Sequence, residues 1–427
     1  MRIHKIELHN FRNFENTLFS FPANFSVVIG DNGKGKSSLL QAVRLAAATF
    51  LLGLDEPSRL HIQKEDVRRV DAGKRFAPQK DCFFQAWGEL NGEQLIWKRT
   101  LARAGGRTDN KDAQSLIQLA QTLNTRVNIH LENDVDLPVF CYFSTARLWS
   151  ESKQSINLKK KGSKLKDGYD KCLDIKSDRI TPLQWIKANY YKTLKGKETT
   201  DLLNAILDAI STCVPNWKNL EWDEDSDDLA GIYTDDKNQS QYIPLYYLSD
   251  GLRTMAGLVA EIAYRCVILN DHLGKNAVKK SKGVVMIDEI DMHLHPNWQR
   301  SVISDLKSAF PEMQFIVTTH SPFIVQSVSQ EELLNLDLAT ASDPNTLGLE
   351  EVAQDIMGVN NTRSEYYQKY YAFATEYLNL LNKIDDKNET EKCKITKRLN
   401  EIEADFEQDP AYAAFLKLNR TAKLGNN

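Results

Sequence analysis

The sequence predicts an α/β fold whose central parallel strands carry a phosphate-binding loop. Three short apolar segments rich in β-branched residues, 25–30, 283–287 and 315–319, each lead into a polar motif. Segments of this kind are typical of strands that are buried on both faces of a sheet. Because the carboxyl ends of parallel strands meet at the ligand-binding edge of an open α/β sheet, we expect the three motifs to lie close together.

The first motif is GDNGKGKS at residues 30–37, which fits G-x-x-x-x-G-K-[ST] at every fixed position. Glycines allow backbone N–H groups to turn toward phosphate oxygens, and the following helix adds the positive end of its dipole. Lys36 is expected to neutralise phosphate charge, and the Ser37 hydroxyl to ligate Mg²⁺. The alternative is a chance glycine-rich turn, but strand, loop and helix follow one another as the motif requires. The predicted nucleotide-binding residues of this loop are Gly30, Gly33, Gly35, Lys36, Ser37 and Ser38.

Two carboxylates follow the second strand, and a histidine follows the third. Asp288 is expected to hold Mg²⁺ through water, and Glu289 to polarise the attacking water as a general base. His320 is expected to contact the γ-phosphate. Each motif has a structural alternative, an acidic turn or a polar residue at a strand end. The phosphate-binding loop in the same chain favours the catalytic interpretation.

A fourth motif, LSDGLR at residues 248–253, precedes an apolar helix, with Ser249 as a candidate N-cap. The motifs thus occur in the order GDNGKGKS, LSDGLR, MIDE, DMHLHP and TTHSP. This order resembles the ATPase head of the ABC class. Within that class it is most similar to the RecF, SMC and Rad50 branch and the related OLD-type ATPases.

The resemblance implies an ABC ATPase head, in which an antiparallel β-subdomain flanks a mixed sheet, with ATP and Mg²⁺ as ligands. In this family the LSDG-type loop completes the ATP site of the opposite subunit. That implies a head-to-tail dimer or higher homo-oligomer, in which Ser249 and Gly251 contact the γ-phosphate in trans, although Asp250 departs from the glycine of transporter heads. Asn32 matches an asparagine that faces the γ-phosphate, and Arg12 lies in an opening segment that is near the nucleotide in the family. The family's Q-loop glutamine stays open between Gln63, Gln79 and Gln85.

Two further segments, 137–149 and 167–173, are similar to a compact ATPase subgroup of prokaryotic defence operons, whose members work with an HNH-type nuclease. This implies an ATPase subunit of an anti-phage complex that regulates a partner nuclease acting on DNA. A RecF-like DNA repair or recombination ATPase, or an ABC-type ATPase with another target, would have the same catalytic residues. No Asp-x-Asp follows His320, where the nearest pattern is Leu-Asp-Leu at 336–338. We find no nuclease constellation in the chain and expect DNA cleavage to come from a partner.

We expect four regions along the chain. They are the N-terminal half of the ATPase head (1–149), a mainly helical insertion (150–240), the C-terminal half of the head (241–330) and a C-terminal helical region for packing or partner binding (331–427).

Two shorter segments have predictions of their own. Residues 76–100 are predicted to form a hairpin with its turn at Asn91-Gly92. A lysine run between Lys153 and Lys166 is either a solvated loop or a contact for DNA phosphates.

Composition limits the partners and the compartment. The net charge is −4, so a nucleic-acid site would have to be a local patch. The chain contains no run of about 18 apolar residues that could span a membrane, and its opening residues alternate like a strand rather than forming a signal peptide. The six cysteines show no metal-ligand spacing. We therefore expect a cytoplasmic protein that does not contact membranes.

Overall fold

The computed structural model describes residues 1–22, 24–55, 60–71, 73, 75–146, 163–175, 180–195, 200–235, 237–337, 342–360, 364–383, 389–405 and 410–424. These residues form two compact units, Met1–Met357 and Gly358–Asn427. Each unit has a hydrophobic core of its own.

The elements of the described residues are as follows. The strands are β1 (Arg2–Phe11), β2 (Phe14–Ser20), β3 (Phe25–Ile29), β4 (Arg69–Asp71), β5 (Phe76–Pro78), β6 (Cys82–Leu90), β7 (Glu93–Leu101), β8 (Val139–Phe143), β9 (Trp217–Asp223), β10 (Asp228–Thr234), β11 (Ser240–Pro244), β12 (Gly283–Ile287), β13 (Met313–Thr318) and β14 (Leu333–Asn335). The helices are α1 (Lys36–Leu51), α2 (Gln114–Asn128), α3 (Lys164–Tyr169), α4 (Ile180–Leu194), α5 (Thr200–Cys213), α6 (Asp250–Leu269), α7 (Ala277–Lys280), α8 (Pro296–Gln299), α9 (Val302–Ala309), α10 (Pro322–Gln326), α11 (Leu349–Glu351), α12 (Glu365–Lys383), α13 (Glu389–Asp405) and α14 (Pro410–Leu424). None of them combines the length and the apolar character that a membrane crossing requires.

A five-stranded parallel sheet in the order β14-β3-β13-β12-β8 forms the centre of the first unit. Every residue of β3, β8, β12 and β13 is buried, as their continuous apolar sequences predict. The strands that end in the three predicted motifs, β3, β12 and β13, are neighbours or next neighbours in this order. The predicted α/β fold with motifs at one sheet edge is therefore confirmed.

A four-stranded antiparallel sheet in the order β2-β1-β6-β7 packs on the other side of α1. The predicted hairpin is present, because β6 and β7 are joined by Asn91 and Gly92, both with positive φ. Its first residues differ from the prediction, since 76–78 form the separate strand β5, which pairs with β4. α1 contacts β12 and β13 of the parallel sheet and β1 and β6 of the antiparallel sheet. The helix that follows the phosphate-binding loop is thus held by both sheets.

The side chain of Gln314, on β13, links the two sheets. Its amide accepts a hydrogen bond from the Ile3 N–H at 2.8 Å and donates one to the Ile3 carbonyl at 2.7 Å. Both residues are fully or almost fully buried. The amide therefore satisfies two backbone groups of β1 that water cannot reach.

The insertion and the C-terminal region differ from the sequence prediction. The described part of the insertion contains helices α3, α4 and α5 and also a three-stranded antiparallel sheet, β11-β10-β9, which the prediction missed. The predicted C-terminal helical region starts at 331, yet residues up to Met357 belong to the first unit, and β14 pairs with β3 there. The C-terminal unit therefore begins at residue 358 instead of 331.

The second unit consists of α12, α13 and α14 packed around a small core. Arg398 on α13 binds both carboxylate oxygens of Glu376 on α12, at 2.7 and 3.0 Å. The Ser364 hydroxyl accepts a hydrogen bond from the Tyr367 N–H at the start of α12. The helical character of this region is as predicted. Its core residues are Ala374, Tyr377, Leu381, Leu399, Ile402 and Leu416.

Substitution of Gln314 tests the link between the sheets. Gln314→Leu leaves the N–H and the carbonyl of Ile3 buried and unpaired, so we expect the first unit to lose about 2–4 kcal/mol of stability. All seven tryptophans precede residue 358, so their fluorescence follows denaturant unfolding of the first unit alone. Gln121→Leu, on the exposed side of α2, is the control and should change stability by less than about 0.5 kcal/mol. Equal unfolding midpoints for Gln314→Leu and the wild type would contradict this role.

Candidate nucleotide-binding site

The phosphate-binding loop, residues 30–37, leads from the end of β3 into the first turn of α1. Gly33 and Gly35 have φ angles of 85° and 104°, in the region that favours glycine. A Cβ atom on Gly35 would also lie 2.6 Å from the ring of Phe14. Position 35 therefore requires glycine both for its backbone conformation and for space.

The ammonium group of Lys36 points back into this loop. It donates to the carbonyl oxygens of Gly30 at 2.6 Å and Asp31 at 3.1 Å. Burial lowers the pKa of Lys36, and nearby carboxylates, Asp337 and Asp288 most strongly, oppose this shift. An ammonium held by neutral carbonyls can exchange them for charged phosphate oxygens, which form stronger hydrogen bonds.

The carboxylate of Asp288 connects the second motif with the loop. Ser37 Oγ donates to Oδ2 of Asp288 at 3.0 Å, and Thr318 Oγ1 donates to Oδ1 at 2.6 Å. A serine hydroxyl beside a carboxylate is an oxygen donor set that suits Mg²⁺ once phosphate oxygens and water complete the coordination. Among the described residues, no group of three or more His, Cys, Asp or Glu side chains could hold a metal ion by itself. The donor set of Ser37 and Asp288 therefore fits Mg²⁺ that is bound together with a nucleotide.

Glu289 follows Asp288 in an unusual backbone conformation, with φ at +51°. Its N–H donates to Thr318 Oγ1 at 2.8 Å, and the N–H of Ile290 donates to the Thr318 carbonyl at 3.0 Å. Residues held in the left-handed region cost free energy and persist where surrounding contacts fix them. Thr318 thus holds the backbone of Glu289 and the carboxylate of Asp288 at the same time.

His320 lies at the end of β13, two residues after Thr318, and is exposed. The hydroxyl of the intervening Thr319 donates to Asp291 at 2.6 Å. This bond ties the end of β13 to the segment that follows Glu289. His320 and Glu289 therefore occupy the same edge of the parallel sheet, as the sequence predicted.

Arg12 lies beside a cavity next to α1. The Arg12 guanidinium binds the Asp66 carboxylate through Nε and one terminal nitrogen, each at 2.8 Å. The backbone N–H of Arg12 donates to the backbone carbonyl of Asp66 at 2.7 Å. About a third of the Arg12 side chain is exposed, at 32%. The cavity has a volume of about 730 Å³ and reaches Ser38, the residue after the phosphate-binding loop. It is lined by Arg12, Asn13, Ser38, Glu65, Val67, Arg68, Arg69 and Phe76.

The three candidate Q-loop glutamines lie on the antiparallel sheet and its loops. Gln85 is in the middle of β6, opposite Glu7 and Lys98. Gln63 lies in the loop that holds Arg12, where its backbone N–H donates to the Asp66 carboxylate at 3.0 Å. The backbone N–H of Gln79 donates to the carbonyl of Arg68, which follows this loop. β12 lies between β13 and β8, and residues 144–146, which follow β8, contain no glutamine.

The LSDG-type loop lies at the start of α6. Ser249 occupies the N-cap position and is exposed. Gly251 is buried, and a Cβ atom there would lie 2.3 Å from the carbonyl oxygen of His293. Within one chain this glycine is therefore required by the close approach of the DMHLHP segment, while Ser249 faces solvent.

A protein-family model described as an AAA domain matches residues 5–221, which are 217 of the 427 residues. This chain belongs to the AAA-domain family. A second model, described as an AAA domain, putative AbiEii toxin, type IV TA system, matches residues 151–326. The phosphate-binding loop falls in the first match, and Asp288, Glu289 and His320 fall in the second.

Curated relatives of this AAA-domain protein include a retron ATPase, a Septu protein and a RecF protein. The retron Vc95 probable ATPase of Vibrio cholerae is 25% identical over 78% of this chain and 73% of its own length. The Septu protein PtuA of Bacillus thuringiensis is 38% identical over 28% of this chain and 34% of its own length. The DNA replication and repair protein RecF of Lactococcus lactis is 39% identical over 31% of this chain and 34% of its own length. The resemblance to RecF-like and defence-system ATPases that the motifs predicted is confirmed.

Three residues that the sequence analysis did not select contact the predicted site of this AAA domain. Thr318 holds Asp288 and Glu289, and the Asn13 amide donates to the Gly33 carbonyl. The Asp337 carboxylate accepts a hydrogen bond from the Asp31 N–H at 2.5 Å. Thr318 and Asn13 lie in predicted motifs, next to residues with predicted roles. Asp337 is the centre of the Leu-Asp-Leu pattern at 336–338, for which the sequence predicts no role.

Substitution of Thr318 tests whether its hydroxyl positions the two carboxylates with predicted catalytic roles, Asp288 and Glu289. Thr318→Val removes the shared partner of the Glu289 N–H and Asp288 Oδ1, so we expect ATP turnover to fall by about 10- to 100-fold while ATP still binds. Turnover is measured as phosphate release at saturating MgATP. Thr318→Ser keeps the hydroxyl and should retain most activity.

A matched control is Thr49→Val, which removes another fully buried threonine hydroxyl, bonded to the Leu45 carbonyl within α1. It should leave turnover close to that of the wild type. Wild-type turnover in Thr318→Val would show that this hydroxyl does not position the site.

Proposed function

We propose that this protein binds and hydrolyses ATP with Mg²⁺ as an ABC-type head, and that it is the ATPase subunit of an anti-phage defence complex. The observation that carries the ATPase proposal is the hydrogen-bonded series Ser37–Asp288–Thr318–Glu289. It joins the phosphate-binding loop to two carboxylates at the edge of a parallel sheet. Ligands of open α/β folds bind at this edge.

Each residue at this edge has a distinct task. The N–H groups of the loop, with Gly30, Asn32, Gly33 and Gly35, surround the β- and γ-phosphates, and Lys36 neutralises their charge. Ser37 and Asp288 would hold Mg²⁺, which would neutralise phosphate charge. Glu289 accepts the proton of the attacking water. His320, at the same edge, contacts the γ-phosphate.

The base and ribose of ATP occupy the cavity beside Arg12. This cavity begins at Ser38 and is lined by three arginines and by the ring of Phe76, which is 69% exposed. An exposed aromatic ring next to guanidinium groups is suited to stacking on a purine base. The pairing of Arg12 with Asp66 positions its guanidinium at the wall of the cavity.

Two chains pair head to tail across the nucleotide. The exposed position of Ser249 at the start of α6 supports this proposal, because the hydroxyl and the helix N-terminus are available to a second chain's γ-phosphate. Gly251 keeps the loop close to the DMHLHP segment. ATP in such an interface stabilises the paired state by mass action, and hydrolysis releases it.

A partner HNH-type nuclease acting on DNA completes the proposed complex. The similarity to Septu PtuA and to a retron ATPase supports the defence role. Of the lysine run proposed to contact DNA, Lys164 pairs with Asp271 at 2.7 Å, whereas Lys153 and 159–161 lie outside the described residues. The second candidate function is a RecF-like repair or recombination ATPase, which the match to RecF favours.

Substitution of the general base separates ATP binding from hydrolysis. Glu289→Gln keeps the shape of the side chain but cannot accept a proton, so we expect turnover to fall by about 10²- to 10⁴-fold with ATP affinity retained. We expect ATP to accumulate on this variant and to convert it to a stable dimer. Phosphate release, equilibrium ATP binding and size-exclusion chromatography with light scattering measure the three properties.

Two variants serve as its controls. Lys36→Ala should lose ATP binding, and Ser249→Arg in the Glu289→Gln background should bind ATP without forming the dimer. Turnover by Glu289→Gln at the wild-type rate would exclude this residue as the base. Full ATP affinity in Lys36→Ala would exclude the loop as the phosphate site.

Affinity purification from the native host tests the choice of partner. We expect an HNH-type nuclease to be recovered with the tagged chain in stoichiometric amount, and the purified pair, but not the chain alone, to cleave DNA. A host strain that carries the untagged chain is the control. Recovery of replication or repair proteins, or of the chain alone, would contradict the defence complex and favour the RecF-like alternative.

A further inference from the structure

Asp337 reaches the phosphate-binding loop from the strand beside it. β14 pairs in parallel with β3, with Asn335 opposite Ile29, and the Leu336 N–H donates to the Ile29 carbonyl at 3.0 Å. The segments that follow β3 and β14 therefore leave the sheet side by side. This register places Asp337 next to Gly30, where a Cβ atom on the glycine would lie 3.1 Å from its carboxylate.

The carboxylate of Asp337 takes two donors from the loop. Oδ2 accepts the Asp31 N–H at 2.5 Å, and Oδ1 pairs with Lys34 Nζ at 2.7 Å. The side chain is only 17% exposed. The hydrogen bond with Lys34 lowers the pKa of Asp337 and raises that of Lys34, so both groups are charged at neutral pH.

We propose that Asp337 is an internal anion that competes with nucleotide phosphates for the positive charge of the phosphate-binding loop, and so sets the affinity for ATP. This inference rests on the proposed function of the loop. Its basis is the pair of contacts with Asp31 and Lys34 on a loop that otherwise presents donors to phosphate.

The competition follows from charge. The loop attracts triphosphate through ammonium groups, backbone N–H donors and the N-terminus of α1. Asp337 neutralises Lys34, and its charge also acts on Lys36. Other carboxylates near Lys36, those of Asp31, Asp288 and Glu289, act in the same direction. Unlike Asp31, Asp337 comes from outside the loop, and its carboxylate is paired with Lys34, one of the loop's cations.

The contact also connects the loop to the end of the first unit. The Asp337 N–H donates to the Asn335 side chain at 2.9 Å, and the Asn335 amide donates to the Ile356 carbonyl at 2.7 Å. Ile356 lies in the last helical turn before the unit ends at Met357. A shift of Asp337 on ATP binding would therefore reach this turn through Asn335.

The test is ATP affinity of the full chain carrying Asp337→Asn, measured in the Glu289→Gln background so that ATP is not consumed. Asparagine keeps an acceptor for the Asp31 N–H but has no charge, so we expect the Kd for MgATP to fall by about fivefold at low salt. The gain should shrink as salt increases, because salt screens a charge effect but not a packing effect. It should also shrink in a Lys34→Gln background, where the cation that Asp337 neutralises is absent.

The control is Asp227→Asn, which removes a carboxylate that pairs with Lys187 far along the chain, outside the site. It should leave the Kd unchanged. An unchanged or higher Kd in Asp337→Asn, while the parent chain binds ATP normally, would overturn the role of Asp337 and leave the proposed function intact. Absence of ATP binding by the parent chain would overturn both.

Discussion

The carboxylate of Asp288 receives one hydroxyl hydrogen bond from Ser37, on α1, and one from Thr318, on β13. A carboxylate that is 7% exposed is unfavourable unless hydrogen bonds replace its lost water. Because its two donors lie on separate elements, they cannot move apart without breaking one of these hydrogen bonds. Thr318 also holds the Glu289 N–H. The position of Glu289, the proposed general base, relative to the loop is therefore fixed by the hydrogen bonds that its neighbour Asp288 requires.

The antiparallel sheet supports the loop from the other side. The turn between β1 and β2 places the Asn13 amide on the Gly33 carbonyl and the Phe14 ring against Gly35. The preceding residue, Arg12, is fixed by Asp66. The opening segment of the chain thus shapes the loop by packing and hydrogen bonding, in addition to any contact with the nucleotide. Phe14 has no predicted contact with the nucleotide, yet its ring leaves no space for a side chain at position 35.

The sequence was sufficient for the parts of the site that are local. A phosphate-binding loop, two strands with polar ends and the LSDG-type loop are each contained in a few consecutive residues, and the fold places the first three at one edge as predicted. Thr318 and Asp337 were missed because their roles depend on partners 30 and 306 positions away. The same reason applies to β14, a three-residue strand whose pairing with β3 moves the start of the C-terminal unit to 358.

The charges around the loop explain why ATP and Mg²⁺ would bind together. Lys34 is paired with Asp337, and Lys36 lies among carboxylates that include Asp31 and Asp288. Free ATP would bring its phosphate charge to this set of acids and be repelled by them. Mg²⁺ would neutralise part of the phosphate charge and would bind to Asp288. Asp288 would therefore favour the magnesium complex over the bare triphosphate, whereas Asp337, in the role proposed for it, opposes the binding of both.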